Sequence, residues 1–243
     1  KLKPSCAVIM AGGKGIRLQP LTKHFPKPMV KVAGKPILER IISRFLDYGI
    51  NNFYISINYL GEMIEDYFGD GKKFNCNIKY IKEKKYLHTG GSLSLLGDKL
   101  LNPIIVMNGD LLTRINFTHL LYFHKRGKFS ATIAVRPYDL KIPFGVIESK
   151  GDKFLSIKEK PNISCLINAG IYVLNPEILS LIPKNKVFPL TDLFGKLLGR
   201  KKRIGVYQIK EDWIDIGRLD ELKRAEEEFL TFEEKCLKNT KKF

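Results

Sequence analysis

The chain has 243 residues, of which 44% are hydrophobic and 28% are charged. This balance is typical of a globular protein with a substantial core, and it excludes a fibrous or disordered chain. No run reaches the roughly 18 to 20 apolar residues of a membrane helix, and the apolar segment 6–11 is too short for a signal-peptide core. We therefore expect a soluble, cytoplasmic α/β protein with no membrane partner.

The chain is strongly basic, with 42 Lys and Arg against 25 Asp and Glu, a net charge of +17. Such a charge suits an anionic substrate, a nucleic acid or an anionic membrane. Most of the lysines are scattered, and only residues 200–203 and the terminal lysines cluster, which favours a solvated turn and tail. A nucleic-acid partner would require a continuous basic face, so we expect none. The four cysteines lie far apart, without metal-ligand spacing, and are expected to be free thiols.

The first 110 residues alternate between strands and helices. Strands are predicted at 5–10, 53–57, 78–81 and 103–107, and helices at 37–45, 62–68 and 91–96. The helix at 37–45 follows Pro36, has apolar residues on one face and stops before Gly49. This alternation predicts a mainly parallel sheet with helices on both faces and a ligand site at the carboxyl ends of the strands.

Strands follow one another more closely after residue 116. Asn116 is expected to cap a helix whose histidines, His119 and His124, lie on its surface. Strands are predicted at 131–136, 144–148, 154–157 and 167–174, some of them antiparallel and all extending the same sheet. No repeat or low-complexity linker divides the chain, so a single domain 1–243 is expected.

A glycine-rich loop, A-G-G-K-G-I-R-L at residues 11–18, follows the first strand. Its three glycines permit the close backbone approach and positive φ that a phosphate-binding loop needs. It is not a P-loop, because Gly15 follows Lys14 where Ser or Thr is required, and it lacks the third glycine of a dinucleotide fingerprint. Taken alone, the loop is equally compatible with a generic turn.

A longer pattern surrounds this loop: residues 8–32 read V-I-M-A-G-G-K-G-I-R-L-Q-P-L-T-K-H-F-P-K-P-M-V-K-V. This stretch resembles the N-terminal motif of the sugar-1-phosphate nucleotidyltransferases. The resemblance continues in order through G-G at 90–91, N-G-D at 108–110, F-G-V at 144–146, E-K-P at 159–161, N-A-G at 168–170 and W-I-D-I-G at 213–217. It implies a three-layer, Rossmann-like nucleotidyltransferase fold with a mixed, mainly parallel sheet. It also implies a nucleotide-binding half, 1–115, and a sugar-phosphate-binding half, 116–243.

The same resemblance implies roles for individual residues and two substrates, a nucleoside triphosphate and a sugar 1-phosphate. Arg17 and Lys27 would be the catalytic cations, which suits a transition state that spreads negative charge over phosphate oxygens. Asp110 and Asp215 would bind Mg²⁺, a cation that prefers oxygen ligands. The alternative for Asp110 is a turn residue, and the alternative for Asp215 is a helix cap. The implied nucleotide-binding residues are Ala11, Gly12, Gly13, Gly15, Glu83, Thr89 and Gly90. The implied sugar-phosphate-binding residues are Gly145, Glu159, Lys160 and Asn168. The alternative for Glu159 and Lys160 is a surface ion pair, and the alternative for Asn168 is a polar strand residue.

No nucleophilic side chain is needed, because a phosphate monoester with a second pKa near ~6 is ionised at neutral pH. The chain departs from the family at Ile16, where threonine is usual, and at His88, where glycine is usual. A catalytically silent regulatory subunit is a second hypothesis. The presence of Arg17, Lys27, Asp110 and Asp215 argues against it.

Glu83 lies five residues before His88, at the position where the resembling guanylyl enzymes carry glutamate and the uridylyl and thymidylyl enzymes carry glutamine, so the resemblance implies that it reads guanine. The physical reason is that one carboxylate can accept from both N1–H and the 2-amino group of guanine. GTP is therefore the expected donor, and a solvated strand end is the alternative for Glu83. The motifs most resemble glucosamine-1-phosphate guanylyltransferases of legionaminic acid pathways, whose members can carry regulatory domains upstream. Mannose- and heptose-1-phosphate guanylyltransferases and UDP- or dTDP-sugar pyrophosphorylases are rivals. A homo-oligomer and an upstream regulatory domain are compatible with this sequence.

Overall fold

The computed structural model describes residues 4, 6–97 and 100–228. The strands are β1 (Ala7–Met10), β2 (Lys31–Val32), β3 (Lys35–Pro36), β4 (Asn52–Ile57), β5 (Asn77–Lys82), β6 (Ile104–Asn108), β7 (Leu111–Thr113), β8 (Ala131–Lys141), β9 (Val146–Lys150), β10 (Lys153–Lys158), β11 (Asn162–Leu174), β12 (Ile204–Gln208) and β13 (Trp213–Asp215). The α-helices are α1 (Ile37–Leu46), α2 (Gly61–Phe68), α3 (His88–Gly91), α4 (Phe117–Arg126) and α5 (Leu190–Gly199). A further helix begins at residue 219 and is described through residue 228.

The centre of the molecule is a seven-stranded sheet in the order β12-β8-β11-β6-β1-β4-β5. All pairings are parallel except those of β11, which runs antiparallel to β6 and β8. Side chains of β1 alternate between two cores: Ala7 and Ile9 join the core that includes α1, α2 and α4, whereas Val8 joins the core that includes α5. The sheet therefore lies between two helical layers, and the predicted mainly parallel α/β fold is confirmed.

Local sequence signals account for several elements. The apolar residues predicted for one face of α1 are all buried, and Gly49, just beyond the helix, has φ 70°. Asn116 caps α4 as predicted, because its Oδ1 accepts from the backbone N of His119 at 3.0 Å. The helix predicted at 91–96 is instead the single turn α3 followed by a 3₁₀ turn, Ser92–Leu95.

Two expectations for the second half are wrong. The segments 144–148 and 154–157 do not extend the large sheet: among the described residues, β9 and β10 pair with each other alone, as a separate hairpin. His124 is buried, not on the surface: its Nδ1 lies 2.8 Å from Thr132 Oγ1 and its Nε2 lies 3.0 Å from Asn175 Oδ1. Burial lowers the pKa of His124, and the bond to Asn175 opposes that effect. His119 is exposed, as predicted.

The remaining general expectations concern the basic turn, the cysteines and membrane-spanning helices. Residues 200–203 form an exposed basic turn. Among the described residues, Cys6, Cys76 and Cys165 form no disulfide, while Cys236 lies outside that part of the chain. Within the described part of the chain, no helix is long and apolar enough to cross a membrane.

Candidate active site

The two carboxylates predicted to bind a metal are brought together by a two-stranded ribbon. Strands β7 and β13 pair antiparallel, with Asp215 opposite Leu111, and the N–H of Ile216 donates to the carbonyl of Asp110 at 2.9 Å. The turn before β7 is fixed to the end of β1, because the N–H of Gly109 donates to the Met10 carbonyl at 2.8 Å. A Cβ at Gly109 would lie 2.7 Å from that oxygen, so only glycine fits here. Asp110 and Asp215 therefore lie at the carboxyl edge of the sheet.

Lys27 lies between these carboxylates. It opens a 3₁₀ turn, Lys27–Met29, and is 9% exposed. Its Nζ forms a short ion pair with Asp110 Oδ2 and lies 3.9 Å from Asp215 Oδ1. Burial and the charge of Asp110 raise the pKa of Asp215 to about 6, while the cations Lys27 and Arg17 oppose the rise.

Each carboxylate keeps one oxygen without a hydrogen bond. Asp110 Oδ1 and Asp215 Oδ1 are buried, and no partner among the described residues donates to either. Buried carboxylate oxygens are rarely left in this state, so a cation is a natural partner. In the described part of the chain, no group of three or more His, Cys, Asp or Glu is arranged around a metal site. Two protein carboxylates, with waters and phosphate oxygens completing the shell, are the donor set that suits Mg²⁺.

The glycine-rich loop forms the opposite wall. It leaves β1 at Ala11, whose N–H donates to the Ser56 carbonyl at 2.8 Å. Gly15 has φ 61°, and its carbonyl accepts from Thr22 Oγ1 at 2.7 Å. A Cβ at Gly15 would lie 2.9 Å from Thr22 Cγ2, so this bend also requires glycine. The cavity beneath the loop has a volume of about 580 Å³ and is lined by Gly12, Gly13, Lys14, Gly15, Ile16, Arg17, Lys27, Asn58, Tyr86, Asp110 and Gly217.

A smaller cavity of about 160 Å³ adjoins it and shares Gly12, Gly13, Tyr86 and Asp110 with the larger one. Glu83 lies in its wall. The carboxylate of Glu83 accepts from Ser56 Oγ at 2.6 Å through Oε1 and from the Leu87 N–H at 2.8 Å through Oε2. Each carboxylate oxygen has two lone pairs, so both can accept again from a ligand. The two cavities together have one end lined by the cations Arg17 and Lys27 and another end lined by the carboxylate of Glu83.

Two of the predicted nucleotide-binding residues line neither cavity. Ala11 is buried at the base of the loop. Gly90 packs against Phe188, whose carbonyl accepts from the Gly90 N–H at 2.9 Å. Thr89 lines the smaller cavity, and its Oγ1 accepts from the N–H of Leu190 at 3.2 Å.

Three residues at this site were absent from the sequence prediction. Ser56 is a buried polar residue inside an otherwise apolar strand, which is a signal that could have marked it. Asn58 follows that strand directly, and its Nδ2 donates to the Glu83 carbonyl at 2.9 Å. Its position just after a parallel strand could have marked it too. Tyr86, which lines both cavities, carries no comparable signal.

The predicted sugar-phosphate residues fall into two groups, and none lines either cavity. Gly145 and Glu159 meet at the β9–β10 hairpin, where a Cβ at Gly145 would lie 3.0 Å from Glu159 Oε2; Lys160 is next in the chain, with φ 43°. Asn168 lies on β11, where its Oδ1 accepts from the Gly170 N–H at 2.9 Å and its Nδ2 donates to Tyr172 at 2.6 Å.

Strand β11 connects this region to the carboxylates. A Cβ at Gly170 would lie 2.6 Å from Asn108 Nδ2, and Trp213 Nε1 donates to the Ala169 carbonyl at 2.9 Å. Asn108 and Trp213 each precede one of the two aspartates by two residues. Trp213 is partly buried against the core. Residues 168–170 therefore lie next to the sheet edge that carries Asp110 and Asp215.

Residues 6–231 match the sequence model of the family described as Nucleotidyl transferase, and the chain belongs to that family. It is 31% identical over 241 residues to a UTP–glucose-1-phosphate uridylyltransferase of Synechocystis sp., covering 90% of this chain and 62% of that protein. It is 33% identical over 227 residues to a mannose-1-phosphate guanylyltransferase of Mycobacterium tuberculosis, covering 90% and 63%. The chain thus spans about three fifths of the length of these relatives.

Solved structures show the same fold. The crystal structure of HddC from Yersinia pseudotuberculosis has a TM-score of 0.72 and 27% identity, covering 92% of this chain and 98% of that one. HddC complexed with GMP-PN gives a TM-score of 0.69 at 26% identity over the same shares. A UDP-glucose pyrophosphorylase from Acinetobacter baumanii, at 20% identity, has a TM-score of 0.71 and covers 98% and 99%. The Rossmann-like nucleotidyltransferase fold is confirmed.

Proposed function

We propose that the chain transfers a nucleotidyl group from a nucleoside triphosphate to a sugar 1-phosphate, releasing pyrophosphate and forming a nucleotide-diphosphate sugar. The observation that carries this proposal is the convergence of the glycine loop, Arg17, Lys27 and two carboxylates whose buried Oδ1 atoms accept no hydrogen bond within the described part of the chain, all at one sheet edge. The relatives named above are sugar-1-phosphate nucleotidyltransferases, which supports the same reaction. We place it in the cytoplasm, where nucleoside triphosphates are made and used.

In this reaction a phosphate oxygen of the sugar 1-phosphate attacks the α-phosphorus, and the bond to the β-phosphate oxygen breaks. The attacking group arrives ionised, so the chain's task is to align it and stabilise charge. Lys27 is buried, so its ammonium acts with little screening by water. Arg17 is exposed at the cavity mouth and can follow the leaving pyrophosphate.

We propose that Asp110 and Asp215 hold Mg²⁺. Their buried Oδ1 atoms, which accept no hydrogen bond from the described residues, support this assignment. When bound, the ion neutralises charge on the phosphate oxygens that it contacts. When no Mg²⁺ is bound, the ammonium of Lys27 offsets the repulsion between the two carboxylates. Its Nζ contacts Asp110 directly and lies 3.9 Å from Asp215 Oδ1.

We propose GTP as the donor and glucosamine 1-phosphate as the acceptor. Glu83 supports the base, because its carboxylate lines the smaller cavity with lone pairs available for N1–H and the 2-amino group. The acceptor rests on the motif resemblance alone. Mannose 1-phosphate and glucose 1-phosphate are rivals, since the relatives carry both names.

The test is a panel of GTP, UTP, dTTP and ATP against glucosamine, mannose, glucose and heptose 1-phosphates, with pyrophosphate release as the readout. Asp110→Asn is the inactive control, and Asp152→Asn, on an exposed turn, is the matched active control. We expect release above the Asp110→Asn background, fastest with GTP. Release that requires no sugar phosphate, or none with any pair, would reject the reaction.

A further inference from the structure

His88 combines two unfavourable features in the wall of the smaller cavity. Its φ is 67°, a left-handed conformation that residues with a Cβ adopt at a cost, although histidine is among the less penalised. Its ring Nδ1 is buried and has no hydrogen-bond partner among the described residues. A buried ring nitrogen without a partner is also costly. Neither feature benefits the folded chain by itself.

The neighbouring backbone holds His88 in this state. On one side, the N–H of Leu87 donates to Glu83 Oε2 at 2.8 Å and the carbonyl of Leu87 accepts from the Phe188 N–H at 2.9 Å. On the other side, the N–H groups of Gly90 and Gly91 donate to the Phe188 carbonyl at 2.9 and 2.8 Å. Strained residues persist where their surroundings impose the conformation, and they concentrate at ligand sites.

The aromatic ring of Tyr86 packs beside the imidazole ring of His88. The centroids of the two rings are 5.1 Å apart with an interplanar angle of 50°. Tyr86 lines both cavities, whereas His88 lines only the smaller one, together with Glu83. His88 therefore shares the wall of the smaller cavity with the carboxylate that would read the base.

The chemistry of guanine supplies the missing partner. Its N1–H and 2-amino groups are donors that suit Glu83, and O6, directly beside N1–H, is an acceptor that needs a donor. Imidazole in its Nδ1–H tautomer is such a donor. We propose that His88 is a specificity-determining residue that donates Nδ1–H to O6 of a 6-oxopurine nucleotide. This inference rests on the proposed function, and specifically on the donor that it names.

Two nucleotide pairs separate His88 from Glu83. ITP lacks only the 2-amino group, so the preference for GTP over ITP reports Glu83. The triphosphate of 2-aminopurine riboside keeps the 2-amino group but lacks both O6 and N1–H, so the preference for GTP over this analogue reports both residues. In His88→Gly, the preference for GTP over the 2-aminopurine analogue should fall about 3- to 10-fold, which is the effect of one hydrogen bond. The preference for GTP over ITP should stay unchanged.

The measurements are dissociation constants by calorimetry with Mg²⁺ and kcat/KM by pyrophosphate release. His88→Gly also removes the left-handed side chain and should raise Tm. Lys128→Gly is the matched control, because Lys128 has φ 49° and lines neither cavity: Tm should rise and both preferences should stay at wild-type values. His88→Phe keeps an aromatic ring but has no hydrogen-bond donor. Its preference for GTP over the 2-aminopurine analogue should therefore fall as it does in His88→Gly.

The inference is overturned if His88→Gly leaves the preference for GTP over the 2-aminopurine analogue unchanged. It is equally overturned if His88→Phe keeps that preference, because ring shape would then suffice. Failure of the proposed function would look different: the wild type would release no pyrophosphate with any substrate pair. The calorimetric preferences would still decide the role of His88 in that case.

Discussion

Replacing Asp215 by asparagine should inactivate the enzyme and stabilise its metal-free form at alkaline pH. The pKa of Asp215 rises from 3.8 to about 6, chiefly through burial and then through the charge of Asp110. Because the folded-state pKa is raised, the associated stability is present below about pH 3.8 and is lost as the pH rises through about 6. Above that range, the ionised carboxylate destabilises the folded chain.

The size of the effect follows from the structure. The full change in pKa would correspond to about 3 kcal/mol. The Asp215 side chain is 41% exposed, so water screens much of the interaction, and we expect about 1 kcal/mol. For a chain of this length, that is a rise in Tm of about 2 to 4 °C.

The assay is thermal unfolding in a chelator at pH 8 and at pH 4.5, with and without Mg²⁺. Asp215→Asn should unfold at a higher temperature than wild type at pH 8, and the difference should shrink at pH 4.5. Mg²⁺ should stabilise the wild type more than the variant. The exposed Asp152→Asn should show none of these differences. A lower Tm for Asp215→Asn at pH 8, or near-wild-type turnover at limiting Mg²⁺, would refute this reasoning.

Three further predictions concern other residues. Arg17→Ala and Lys27→Ala should each lower kcat/KM by about 10²- to 10³-fold in the pyrophosphate assay, as expected for one electrostatic donor; a change confined to KM for the sugar phosphate would contradict their roles. Glu83→Gln should weaken use of GTP and relatively improve use of UTP or dTTP, and an unchanged ratio would remove its base-reading role. The lowered pKa of His124 means that its contribution to stability is present above about pH 6.5 and lost as the pH falls. The free energy of unfolding in urea, measured from pH 8 to pH 5, should show this loss, and the loss should be smaller in His124→Gln. If the free energy of unfolding falls equally steeply with pH in both proteins, His124 is excluded as the source of the loss.

Periodicity and local chemistry predicted several local features of the chain. The apolar face of α1, the cap at Asn116 and the abrupt end of β1 at the glycine loop depend on residues close in sequence. The motif resemblance also pointed to Asp110, Asp215 and Lys27, which the structure brings together.

The errors occurred where contacts with distant residues decide the outcome. His124 has the sequence position of a helix-surface residue, but Thr132 and Asn175 bury its ring. Strands β9 and β10 have the alternation of sheet strands, yet alternation does not specify the partner strand, and they pair with each other. Tyr86 lay outside the prediction because only the fold places it between the two cavities.

The sequence by itself determined the class of fold, the glycine-rich loop after the first strand and the identity of the charged groups, because these depend on residue type and spacing along the chain. The tertiary structure decided that Lys27 lies between two carboxylates that are far apart in sequence, since that contact requires the pairing of β7 with β13. It also decided the strained conformation of His88, which contacts with Phe188 impose from a hundred residues away. Local preference cannot encode either feature, because both arise from the close packing of segments that meet only in the folded chain.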